Sequence, residues 1–149
     1  MSAVRKFLAL PRRERGLLLA ALAGLPLVAA GVRLLGYRRM CGLLSTGVSV
    51  SADPSENYPD EVARLARAVR RAARHGPVRG TCLSRALLLW RMLLRRGIPA
   101  EIRFGVRGGG TSVEAHAWVV TRERSLDDGF EAHEFADLLP ARPDDIAAP

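Results

Sequence analysis

Cysteine is scarce in this chain: Cys41 and Cys82 are its only two thiols, no Cys-x-x-Cys pair occurs, and there are three histidines. Two thiols do not build the disulfide framework of a small secreted domain, and so few soft ligands argue against a structural zinc module. Aromatic residues make up only 5% of the sequence and are not interleaved with basic ones, so the stacking platform of a single-strand nucleic-acid binder is missing. Neither nucleic acid, nor a metal, nor another cofactor is therefore expected. Acidic residues are also in the minority, 15 against 23 Lys and Arg, for a formal net charge of +8. That sign admits acidic peptides and anionic membranes as partners. Arg64, Arg67, Arg70, Arg71 and Arg74 recur at helical spacing and read as a solvated face. No secretory signal with a small-residue cleavage site opens the sequence, so a reducing cytoplasm is the expected compartment.

At 149 residues, 48% of them hydrophobic, the chain is long enough for one core and short for two. The expected division is a helical appendage at 1–50, a catalytic domain at 51–140 and a flexible tail at 141–149. Residues 17–32, LLLAALAGLPLVAAGV, form an apolar run of 16 residues that stops at Arg33. A bilayer span needs about 20 such residues, and Gly24 and Pro26 weaken a helix interior. A helical hairpin packed on the core is the favoured expectation there, with membrane contact through 17–32 the less favoured one.

Ser, Gly, Asn and Pro between Gly42 and Pro59 mark a surface connection. Asp60 is a candidate N-cap for a helix with Val62, Leu65, Ala66 and Val69 on its apolar face, ended by Gly76-Pro77. A second, strongly apolar helix follows in TCLSRALLLWRMLLRRG, with Thr81 as candidate N-cap and Gly97 as candidate C-prime residue. Its lack of a polar side predicts a central position. The period then changes to two. Ile102, Phe104 and Val106 alternate with Arg103, Gly105 and Arg107, and after Gly108-Gly109-Gly110 a second alternating run spans Val113 to Val120. These predict an antiparallel hairpin, with a third short strand at Arg124–Leu126 before the Asp127-Asp128-Gly129 corner.

The order of cysteine at a helix entrance, histidine within a strand and aspartate after the next strand suits nucleophilic catalysis. A thiol attacks as thiolate, and a free cysteine with a pKa of about 8.5 is mostly protonated at neutral pH. Cys82 follows the proposed cap Thr81, where the helix dipole and unpaired amides favour the anion, and its own N–H can face a developing oxyanion. His116 shares a strand face with Glu114 and Trp118 while Ala115 and Ala117 point the other way, leaving it free to turn toward the helix as the base. A carboxylate on the other ring nitrogen would fix the tautomer. Cys41 lacks such a helix entrance and reads as structural; His75 and His133 receive no role. An inert Cys82 in a noncatalytic, basic binding scaffold that grips an acidic peptide is the competing reading.

The segment TCLSRALLLWRMLLRRGIPAEIRFGVRGGG, followed by VEAHAWVV, resembles the transglutaminase-like cysteine peptidases of lasso-peptide biosynthesis, the B proteins of those pathways, in their split form. The resemblance is strong over about residues 60–130, and the Leu-rich N-terminal stretch is similar to the family's helical lead-in. It implies an α+β fold, papain-like in the transglutaminase arrangement, with the central cysteine helix packed on a small antiparallel sheet. It also implies that Cys82 is the nucleophile and His116 the base. The family acid follows the histidine by roughly a dozen residues, which favours Asp128, with Asp127 as the fallback. The implied reaction removes a leader from a lasso precursor peptide, although acyl transfer to an amine uses the same groups. A separate leader-binding recognition protein and an asparagine-synthetase-like lasso cyclase are the implied partners.

Overall fold

Local capping decides where the central helix begins. A computed structural model describes residues 3–47, 58–109, 112–122, 124–126 and 136–138. In it the order is α1 (Ala3–Leu8), α2 (Arg12–Ser45), α3 (Tyr58–His75), α4 (Cys82–Leu94), β1 (Glu101–Gly109), β2 (Ser112–Thr121), β3 (Arg124–Ser125) and β4 (Ala136–Leu138). Helix α4 starts after Thr81, whose side chain accepts from the Ser84 amide. It ends where Gly97 takes a φ of +71° and the Ile98 amide reaches back to the Leu93 carbonyl, a Schellman closure that only glycine enters without strain. Both ends fall where the sequence places them.

Helix α3 begins at Tyr58, two residues before the expected cap, so Asp60 stands in its first turn with Glu61. Pro59 permits this early start, because a first-turn amide has no helical acceptor to lose. Acids at its start and Arg74 and His75 at its end both complement the helix dipole. Val62, Leu65, Val69 and Ala72 face inward.

Helix α2 departs most from expectation. The hairpin predicted over 17–32 is instead continuous helix running through Pro26, and the break comes later, at Gly36 with φ 78°. Beyond it the chain turns back enough for the Met40 sulfur to lie 2.6 Å from where a Cβ on Gly31 would sit. The helix then continues to Ser45, into the stretch expected to be a surface connection. Gly24 has a packing reason: a Cβ there would stand 2.7 Å from a Leu88 methyl, so glycine lets α2 and α4 approach closely. Ala21, Leu25, Val28, Met40 and Cys41 of α2 enter the same apolar cluster as α3, α4, Ile102, Ala117 and Val119. Arg91 of α4 donates to the carbonyls of Leu44 and Thr46, fastening the end of α2.

The hairpin of β1 and β2 is antiparallel, with Glu101 opposite Val120 and Gly109 opposite Ser112. The sheet order is β3-β2-β1-β4. The predicted third strand is present but short, at Arg124–Ser125, and β4 is an addition that three residues, ADL, gave no periodicity to announce. The architecture is α+β, as expected, with α4 packed on a small antiparallel sheet and α2 and α3 packed against α4 and each other. Full burial of Leu65, Leu87, Leu93 and Val119 contributes roughly 1.5–3 kcal/mol for each such side chain. Trp90 Nε1 donates to the Ala100 carbonyl at 3.0 Å, tying the helix to the strand that leads to the site.

Candidate active site

Cys82 is the first residue of α4. Three features of the local sequence put it there with its thiol accessible. Gly80 adopts φ +67°, and a Cβ on it would meet Ser84 Oγ at 2.7 Å, so the turn into the helix requires glycine. Thr81 and Ser84 then close a reciprocal capping box. The first turn carries no acidic residue, so nothing in it opposes a thiolate. The amides of Cys82 and Leu83 belong to the first turn, where no helical carbonyl accepts them, and the positive end of the helix dipole coincides with the sulfur. Cys82 is half-buried, whereas Cys41 is buried.

His116 and Cys82 line one cleft, together with Arg85, Leu89, Trp118 and Leu126. Cys82, Arg85 and Leu89 recur at three and four along α4 and so share one helix face. From the strand the cleft takes four consecutive residues, His116 to Val119. Consecutive strand side chains point to opposite sides, so the cleft runs along the edge of β2. The opposite edge of that strand is bonded to β1 from Ser112 to Val120. The expectation that His116 would turn toward the helix from a face free of alanines is thereby altered. Ala117 and Val119 are the side chains that enter the helix-facing core, and His116 reaches the thiol's cleft at the strand edge. It is 8% exposed, and its ring stacks on Trp118 with centroids 6.0 Å apart and planes 19° from parallel. That stacking restricts the imidazole's rotation within the cleft it shares with Cys82.

The chain after β2 doubles back along this edge. Val120 pairs with Ser125 and Thr121 with Arg124, and the Leu126 amide donates to the Val119 carbonyl at 2.8 Å. Leu126 lines the cleft and immediately precedes Asp127. Asp127 and Asp128 themselves lie outside the described residues, as does His133. A further acid enters through β4: Gly105 pairs with both His116 and Asp137, so Asp137 stands in the same cross-strand row as His116. Sequence reading overlooked it because three residues carry no strand period.

Sequence reading also overlooked Arg85 and Trp118 as members of the site. Cys82 and Arg85 are three apart in a helix, a spacing that by itself puts them on one face. Trp118 is two after His116 in a strand, which does the same. Arg85 adds a positive charge to the cleft that Cys82 and His116 line, which favours an anion formed there.

Cys41 contrasts with Cys82. Burial pushes its thiol pKa above the ordinary 9.0, partly offset by the Tyr37 hydroxyl bonded to it. Tyr37 in turn packs edge-on against Phe104, centroids 5.4 Å apart. This thiol belongs to the core. His75 is exposed at the end of α3 and does not line the cleft.

Among known protein families, the model of the transglutaminase-like superfamily matches residues 24–139. No curated protein and no solved structure matches the chain. The matched span begins within α2 and runs through β4, and it contains Cys82, Arg85, His116 and all three candidate acids.

Proposed function

The chain belongs to the transglutaminase-like superfamily, a group of cysteine peptidase and acyl-transferase type, and from that premise we propose that it is the leader peptidase of a lasso-peptide pathway. The observation that carries the reading is the meeting of Cys82, at the mouth of α4, with His116 in one cleft. Its support for the pathway is the resemblance of the segments around Cys82 and His116 to the split B proteins.

In the proposed reaction His116 accepts the proton of Cys82 Sγ, and the thiolate attacks the carbonyl carbon of the scissile peptide bond. The oxyanion forms against the first-turn amides of α4. The intermediate collapses as the C–N bond breaks, and the imidazolium gives its proton to the leaving amine. The freed amine is the new N-terminus of the core peptide. Water, deprotonated by His116, then attacks the thioester and releases the leader's carboxylate. Asp128 orients the imidazole through its other nitrogen, following the resemblance. The cytoplasm is the compartment in which this thiol stays reduced. A separate leader-binding protein delivers the precursor, and an asparagine-synthetase-like cyclase takes the freed amine.

Combining the full chain with a leader-binding protein and a precursor, and following masses, tests this. Appearance of free leader that depends on Cys82 supports the proposal; full cleavage by Cys82→Ala defeats it. Because superfamily chemistry also includes transfer, a labelled primary amine supplied in the same assay separates the outcomes. Its incorporation into product marks transamidation, and its absence with free leader carboxylate marks hydrolysis.

A further inference from the structure

The outward side of α2 is apolar where a water-exposed helix is ordinarily polar. Leu19, Ala23, Leu27, Ala30 and Leu34 are all exposed and follow one another at steps of four, four, three and four, which is one continuous helix face. Leu27 is 71% and Leu34 83% exposed. At 1.5 Å per residue, the stripe is roughly 25 Å long. No charged residue interrupts it between Gly16 and Val32.

Charge is gathered at its two ends. Arg12 and Arg13 are exposed before it, and Arg33, Arg38 and Arg39 at and beyond its far end. Residues 1–52 contain eight Lys and Arg and a single acid, Glu14, so nearly all the chain's excess positive charge lies on this segment. An apolar stripe between two cationic ends matches a surface that is apolar at depth and negative at its rim.

We propose that this face of α2 docks the protein in the interface of an anionic phospholipid bilayer, lying in the plane of the membrane. The helix is long and apolar enough to cross a bilayer by composition, but its other side is committed to the core. Ala21, Leu25 and Val28 are buried among α3 and α4, and Glu14 meets Arg71 of α3 at 3.7 Å. Crossing would strip that face from the core, whereas lying flat uses only the exposed side. Pairing of the stripe with itself in a second copy would set cationic ends against cationic ends. Anionic headgroups complement both ends at once. The inference does not depend on the peptidase reading.

Vesicle sedimentation of the full chain tests it, comparing neutral phosphatidylcholine with vesicles containing about one-quarter phosphatidylglycerol. The chain is expected to pellet with the anionic vesicles, and to be released by high salt and by carbonate. Leu27→Glu with Leu34→Glu is expected to weaken that binding about tenfold or more, with unchanged melting because both sites are exposed. Arg38→Gln with Arg39→Gln is a second variant, expected to weaken binding to anionic vesicles while leaving any binding to neutral ones unchanged. Failure to bind anionic vesicles overturns the proposal, as does undiminished binding by both variants. Carbonate-resistant insertion overturns it in favour of a span. Dimerisation abolished by the leucine variant, without vesicle binding, overturns it in favour of self-association.

Discussion

Thr81 and Ser84 hold one another at the entrance of the cysteine helix: the Thr81 amide donates to Ser84 Oγ at 2.8 Å, and the Ser84 amide donates to Thr81 Oγ1 at 3.2 Å. The pair brackets Cys82 and fixes the first turn of α4, in which Cys82 is the first residue. Ser84 is 1% exposed, so its hydroxyl is committed to this box.

Loss of the box is expected to cost stability and activity together. Thr81→Ala removes a cap worth about 1 kcal/mol, and denaturant unfolding should show a midpoint shift of that order. Thr81→Ser keeps the oxygen and should restore both. Gly80→Ala is expected to be worse than Thr81→Ala, because it adds a left-handed backbone penalty of about 1–2 kcal/mol to the contact with Ser84 Oγ. Equal stability of Gly80→Ala and the parent chain would show that this turn does not position the thiol.

The parts of this site legible in sequence are those fixed by local chemistry. Thr81 followed by an apolar run announces a helix start, and Gly97 announces its end; both signals act within a few residues of themselves. Alternation from Ile102 to Val106 announces a strand in the same way. What was not legible depends on distant neighbours. Continuity of α2 through Pro26 rests on packing against α3 and α4, which overrides the local weakness of Pro and Gly. Likewise the choice of core face on β2 is made by the helices that cover it: alternation separates His116 from Ala117 but does not say which side is inward. The strand at Ala136–Leu138 is specified by its partner β1 rather than by its own three residues.

The two thiols should react unequally with an alkylating agent. Cys41 is 3% exposed and its thiol is pushed above its ordinary pKa by burial, whereas Cys82 is half-buried at a helix entrance. In native protein near neutral pH, mass spectrometry of peptides should find the label on Cys82 and not on Cys41. Unfolding should expose both. Labelling of native Cys82 no faster than that of a small model thiol would instead favour the scaffold reading.

Alkaline stability should report the Tyr37–Cys41 pair. Both groups have folded pKa values raised above their ordinary 10.0 and 9.0, chiefly by burial. At high pH the unfolded chain therefore loses these protons first, and fewer are bound in the unfolded state than in the folded one. The stabilisation is complete below pH 9 and is lost as pH rises through the raised folded values. Melting followed from pH 8 to 11 should show the decline, and Tyr37→Phe with Cys41→Ala should flatten it relative to the parent. An identical alkaline slope in that variant would show that the decline arises elsewhere.

Removal of the base and of its orienting acid should slow the reaction to a similar degree. Among the described residues His116 is the only histidine lining the cleft with Cys82, so His116→Ala should lower the rate by about 10³-fold or more, as loss of a member of such a triad does. The acid is assigned through the resemblance to Asp128, and three single substitutions decide it: Asp128→Asn, Asp127→Asn and Asp137→Asn. Only the first is expected to approach the loss seen for His116→Ala. A comparable loss confined to Asp127→Asn would move the role by one residue. A loss confined to Asp137→Asn would instead make the cross-strand row through Gly105 the route by which the imidazole is oriented, because Gly105 is the residue that pairs with both. In each case Cys82 should still be alkylated and the fold should still melt as the parent does, which distinguishes a misaligned base from an unfolded chain.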